Sequence, residues 1–265
     1  MARQFQEIIY TKEDGVGLIT LNRPHIMNAF SVQMQEEWVA AVEEAKYDDE
    51  VRVLVVTGAG RGFCSGADVK SLARREELPV GQRRHLERLT VQKLPRALES
   101  LDKPYVAAVN GPAVGGGFDV ATMADIRFAS DRATFSINHL RIALLSADGG
   151  YYFLTRVVGL PKTLELVLTR KVFDAQEALA LGYVSRVVPH DELMAVTMNF
   201  ARDLAKGPPM AMQIAKRLIY RCLDQTLDEH LEDMEAAMTI VRGTEDAIEG
   251  PRAWAEKRAP NFKGR

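Results

Sequence analysis

Residues 55–70 read VVTGAGRGFCSGADVK. An apolar, β-branched run enters a loop holding Gly58, Gly60, Gly62 and Gly66. A buried strand that stops in a glycine-rich turn can open a dinucleotide site. It can equally present backbone N–H groups to another anion. Three features count against a dinucleotide. The fingerprint T-G-x-x-x-G-x-G is met by Thr57, Gly58 and Gly62, but Cys64 stands where its third glycine belongs. About 20 residues on, where a second strand should end in an acid for the ribose, lies a charged stretch, 74–88. No tyrosine is followed four residues later by lysine, so the Tyr-Lys pair of short-chain dehydrogenases is absent.

A second stretch repeats the pattern. The apolar run 105–109 leads into NGPAVGGGFDVATMADIRFAS, residues 110–130, in which Gly115–Gly117 opens a short helix. Two strands that each end in a glycine turn can aim two backbone N–H groups at one oxygen, which is an oxyanion hole. Either turn alone is as well explained by tight chain reversal; the pairing points to chemistry.

Around these motifs the pattern predicts strands over 8–10, 16–21, 52–57, 126–129, 133–136 and 183–188, with a helix capped by Ser31. Helices are predicted over 149–158 and 161–169, and the pattern is helical from 191 to 257. Composition is that of a globular chain of 265 residues: 47% apolar, 26% charged, formal net charge −2. This balance argues against a general nucleic-acid surface. Cys64 and Cys222 have no metal-ligand spacing, and no metal is expected. The polar start MARQFQEIIYTKEDG does not read as a signal peptide, and no run reaches transmembrane length. A cytoplasmic enzyme, away from membranes and nucleic acid, is the expectation.

GRGFCSGADVK with NGPAVGGGFDVATMADIRFAS resembles the crotonase superfamily, the enoyl-CoA hydratase/isomerase family. The resemblance extends from LITLNRPHIMNAF through RVVGLPKTLELVLTRKVFDAQEALALGYVSRVV to EGPRAWAEKRAPNFKGR, almost the whole chain. It implies an α/β fold, a spiral of ββα units over residues 1–190. A helical C-terminal subdomain over 191–265 would serve oligomerisation and part of the coenzyme A site. It also implies homo-trimers or hexamers and an acyl-CoA thioester substrate, with coenzyme A part of the substrate and no separate cofactor. The oxyanion hole falls on the N–H groups of Ala67 and Gly116, flanked by Ser65, Gly66, Asp68 and Gly115. Arg23, Asn28 and Ala29 fall at the nucleotide end, Lys70 at the pantetheine side and Phe262 near the adenine of the same or a neighbouring subunit.

The resemblance leaves the reaction open. Family hydratases hold water between two glutamates. The first position is here Asp119, one methylene shorter, and the second is replaced by Asn138-His139-Leu140. Asp119 would also suit the first turn of a helix, and His139 would also suit a hydrogen-bonded pocket position. Ser146-Ala147-Asp148-Gly149-Gly150 instead carries an acid where family enoyl-CoA isomerases often place one. One carboxylate suffices to move a double bond, because the group that takes a proton can return it elsewhere. Asp148 could also cap the following helix, and Leu144, Leu145, Tyr151, Tyr152 and Phe153 would give it apolar surroundings. Isomerisation with Asp148 as proton shuttle is the leading expectation. Alternatives are hydration by Asp119 with Asp148 or His139, hydrolysis or decarboxylation of a thioester, and an RNA-binding or scaffold relative.

Overall fold

The computed structural model of the protein describes residues 5–68 and 78–265. Strands β1 (Ile8–Glu13) and β2 (Val16–Leu21) form an antiparallel hairpin turned by Asp14 and Gly15, both at positive φ. Ser31 caps helix α1 (Val32–Tyr47), its hydroxyl accepting the Met34 N–H at 2.9 Å. Strands β3 (Val53–Gly58) and β4 (Tyr105–Val109) are buried throughout and run parallel, with Thr57 opposite Ala108. Helices α2 (Val80–Leu89) and α3 (Lys93–Glu99) precede β4.

The chain continues through β5 (Ala113–Val114), α4 (Gly116–Thr122), β6 (Ile126–Ser130) and β7 (Thr134–Ser136). It then forms α5 (Gly150–Val158), α6 (Leu160–Thr169), β8 (Phe173–Asp174), α7 (Ala175–Ala180) and β9 (Arg186–Val188). A larger sheet has the order β1-β2-β3-β4-β6-β9, and a smaller one β5-β7-β8. From β2 onward the larger sheet is parallel. Successive passes set one strand in each sheet and then a helix, as in β4-β5-α4 and β6-β7-α5. This is the crotonase spiral of ββα units.

Strand alternation divides the core. Leu54 and Val56 face α1, joining Met34 and Trp38 in the main cluster. Val53 and Val55, with Val16 and Val106, meet Ala201 and Ala205 of α8 (Leu193–Ala205) on the other face. Helices α9 (Pro209–Arg221), α10 (Leu227–Arg242) and α11 (Glu245–Ala255) complete a helical C-terminal region, where Ile214, Leu218 and Ala237 form a small separate cluster. Among the described residues no helix is long and apolar enough to cross a membrane.

Candidate active site

The parallel register of β3 and β4 delivers both glycine turns to the same end of the sheet. Asn110 ties them together: its Oδ1 accepts the Gly58 N–H at 3.2 Å, and its Nδ2 donates to Gly60 O at 3.0 Å. Further out, Cys64 and Ala113 form a parallel bridge, and Val114 N–H donates to Cys64 O at 2.9 Å. Approach this close needs missing side chains. A Cβ on Gly117 would overlap the Cys64 carbonyl, and one on Gly66, at φ +84°, would lie 2.7 Å from Val114 O and 3.0 Å from Gly116 N.

Backbone pairing leaves two donors over. Ala67 bridges Phe30 through its neighbours' amides: Phe30 N–H donates to Gly66 O at 2.7 Å and Asp68 N–H to Phe30 O at 3.3 Å. The Ala67 N–H itself has no acceptor among the described residues. Nor has that of Gly116, the first residue of α4. Both residues line a cavity of about 490 Å³.

Ser65, Gly66, Asp68, Gly115, His139 and Asp148 line the same cavity, so the structure brings eight of the expected site residues together. Phe30, Val114, Leu144 and Leu145 add apolar wall. Arg23, Asn28 and Ala29 do not line it. Asn28 is fully buried beneath the first glycine loop, where Nδ2 donates to Ala59 O, Gly62 O and Phe63 O at 2.9–3.1 Å. Arg23 is turned to Ala29 O and Glu7. Phe262 lies away from the cavity, its ring beside Gly250 and its carbonyl accepting Arg52 near the start of β3. Lys70 falls outside the described residues.

The carboxylates differ sharply. Asp119, on α4, is fully buried and does not line the cavity; Asp148, 7% exposed, does. Burial foremost, then the charge of Asp148 and a hydrogen bond to it, raises Asp119 well above the usual carboxylate range. His139 Nε2 lies 3.2 Å from Asp119 Oδ2. Burial lowers the His139 imidazole, so this contact joins two neutral groups and is no ion pair. Cys64 is pushed up to about 12 by burial and stays a thiol, donating to Asn28 O.

Two expectations about the second acid are corrected. Asp148 does not cap α5: Gly149 holds the N-cap position, and Ser146 Oγ takes the Gly150 N–H at 2.7 Å. The chain between Ser146 and α5 turns through Gly149 at φ +90°, which directs the Asp148 carboxylate into the cavity instead. Tyr152 does not surround Asp148, because its ring is 46% exposed and lies under the Arg156 guanidinium at 3.5 Å. Ser146, absent from the expected set, hydrogen-bonds Asp119 Oδ2 at 2.9 Å and Asp148 Oδ1 at 3.1 Å. A serine just ahead of a helix start is a visible capping signal, although its contact with Asp119 is tertiary.

A crotonase-type spiral with paired glycine turns above an acid-lined cavity defines a class, and comparison with known proteins gives the family. The enoyl-CoA hydratase/isomerase family profile matches residues 11–265, and the chain belongs to that family. A probable enoyl-CoA hydratase of Mycobacterium tuberculosis is 33% identical over 261 residues, covering 98% of this chain and 99% of the relative. A trans-2-decenoyl-acyl-carrier-protein isomerase of Streptococcus mutans is 31% identical over 264 residues, with 98% and 99% covered. The crystal structure of an enoyl-CoA hydratase subunit from Geobacillus kaustophilus superposes with a TM-score of 0.92 at 36% identity, covering 99% of this chain and 100% of that one.

Proposed function

We propose that the protein acts on acyl-CoA thioesters by enolate chemistry, and that its reaction is the shift of an enoyl double bond. The thioester oxygen is held by the N–H groups of Ala67 and Gly116, and Asp148 is the base. The carrying observation is the place of Asp148: its carboxylate lines the cavity, and a Cβ on Gly116 would lie 3.4 Å from Asp148 Oδ2. A carbon next to a carbonyl held at Gly116 is therefore within reach of that oxygen.

The step balances without any added reagent. Asp148 removes a proton from C2 of a 3-enoyl thioester, and the electron pair moves onto the thioester oxygen as a dienolate. The neutral Asp148 then returns the proton to C4, and the double bond now joins C2 and C3. Charge develops on the oxygen only in the intermediate and the flanking transition states, so donors fixed there favour them over the ground state.

Asp119 supports this division of labour. A family hydratase uses its first acid to hold water, whereas Asp119 is walled off from the cavity and keeps its proton. Hydration is the second reading. It is favoured by His139, which lines the cavity as a neutral imidazole opposite Asp148 and could orient a water with it. Both readings are tested by product analysis with 2-enoyl-, 3-enoyl- and cyclic acyl-CoA thioesters in heavy water. We expect 3-enoyl-CoA to give the conjugated 2-enoyl product. Asp148→Asn should lose orders of magnitude in rate, Asp119→Asn less, and His139→Gln less still. Wild type that only adds water to 2-enoyl-CoA would refute isomerisation. Free coenzyme A or carbon dioxide would mark a hydrolase or decarboxylase, and salt-sensitive RNA retention without turnover a binding protein.

A further inference from the structure

Ser146 stands between the two acids, with Oγ 2.9 Å from Asp119 Oδ2, 3.1 Å from Asp148 Oδ1 and 2.7 Å from the Gly150 nitrogen. A hydroxyl has one proton to give and two lone pairs to receive. The Gly150 N–H fills one lone pair. With both acids ionised, Ser146 could serve only one of them, and two negative charges would face one hydroxyl in a buried place.

Asp119 also hydrogen-bonds Asp148 directly, and one arrangement lets the hydroxyl serve both acids as well. Asp119 keeps its proton on Oδ2 and donates to Ser146 Oγ, and Ser146 donates onward to Asp148 Oδ1. Asp119 Oδ1, buried with no donor near it, is then the carbonyl oxygen of a neutral acid. Leaving that unpaired costs less than stranding half a carboxylate. The neutral His139 ring fits the same scheme with its proton on Nε2, facing Asp119, because Nδ1 is buried without a partner.

We infer that Ser146 is a positioning residue for the reaction: its hydroxyl, tied to Asp119 and to the Gly150 N–H, donates to Asp148 Oδ1, fixes that carboxylate and leaves Oδ2 as the oxygen turned to the substrate. The inference rests on the reading of Asp148 as the base. The role is one of orientation, and a variant that keeps the hydroxyl should keep it.

The test uses whichever thioester wild type turns over, and compares Ser146→Ala, Ser146→Thr and Ser146→Cys. We expect Ser146→Ala to lower kcat roughly tenfold to a hundredfold, the loss of a hydrogen bond to a charged group, with KM changed by less than about threefold. Ser146→Thr keeps the hydroxyl and should recover most of the rate. Infrared spectra should show a protonated-carboxyl C=O band that Asp119→Asn abolishes, whatever the turnover. Wild-type kcat in Ser146→Ala would overturn the inference, as would equal damage from alanine and threonine. If alanine does not fold, Ser146→Cys, a weak donor, must show the lowered kcat at little-changed KM, and a wild-type kcat overturns it. An unimpaired Asp148→Asn would instead overturn the base itself. An inert Asp148→Asn beside an unaffected Ser146→Ala removes only the role of Ser146.

Discussion

Gly116 offers a way to delete one proposed oxyanion donor while keeping its helix. It is the first residue of α4, where an N–H has no intrahelical acceptor and proline is well tolerated. The preceding residue is Gly115, at φ 56°, ψ −125°, and lacks the Cβ that usually makes a residue before proline strained. An added Cβ at Gly116 would stand 3.1 Å from the Phe30 ring and 3.4 Å from Asp148 Oδ2, close contacts that a small ring movement relieves. Gly116→Ala introduces the same Cβ and keeps the N–H; Gly116→Pro introduces it and removes the N–H. Proline also sets its ring Cδ where the hydrogen stood, so the difference between the two variants is an upper bound on what the donor contributes. Loss of one oxyanion donor costs about 10²–10³ in rate, or about 2.7–4 kcal/mol of transition-state stabilisation. The Cβ alone should cost less than about tenfold, since the contacts it makes are tight but not overlapping. Steady-state kinetics on the productive thioester, with thermal melting to show that both variants fold, reads the result. If folded Gly116→Pro turned over within about threefold of Gly116→Ala, the N–H of Gly116 would have no part in stabilising the enolate.

Three further outcomes are expected. Light scattering at micromolar protein should give a trimer or hexamer, since α6 exposes Leu160, Leu164 and Leu168 in a row and α10 exposes Leu227 and Leu231; a monomeric mass would refute this. Asn28→Ala should lower stability by about 1–3 kcal/mol in urea denaturation, because it leaves Ala59 O and Phe63 O without a side-chain donor and Gly62 O with that of Asn110 alone; an unchanged midpoint would show that the loop holds itself. Asp119→Asn should gain stability over wild type as pH rises. Asp119 in the unfolded chain ionises near pH 3.9, while in the fold it is raised well above that and keeps its proton. The native state thus binds the extra proton, and its disadvantage is absent below about pH 4 and grows above it by up to about 1.4 kcal/mol per pH unit until the folded group ionises. A melting-temperature difference that does not change with pH would show Asp119 to be ionised in the native protein.

Local signals carried the larger elements. The apolar run ending at Thr57, the Ser31 cap and the apolar run over 105–109 each specify an element through their own residues, and each lies within a residue or two of the expected place. The shortest strands are defined by their partners. Strands β5 and β8 have two residues each, too few for any alternation, and exist because β7 pairs with both. Helix α7 did have a local signature, since Asp174 and Glu177 form a capping box. Asn28 lies in a loop expected to face ligand, and sequence gives its neighbours but not its depth. Its left-handed φ of 54° and full burial make it a tie beneath the loop.

The two aspartates expose the deeper limit. In local sequence Asp119 and Asp148 look alike, each in a glycine-rich turn at the start of a helix, and only the family resemblance ranks Asp148 first. What separates them is desolvation, a property of everything packed around a group and hence of no local motif. Gly150 shows how the separation is built. A Cβ there would overlap the Asp119 carboxyl, so the last glycine of Ser-Ala-Asp-Gly-Gly makes room for the acid of the other motif. Any larger residue would drive Asp119 from its buried place, toward solvent or into the cavity, and the reason for its retained proton would go with it. Asp148 would then share its surroundings with a second negative charge instead of a neutral acid. The glycine beside the base thus helps determine which acid is the base, through a contact between segments 31 residues apart in the sequence.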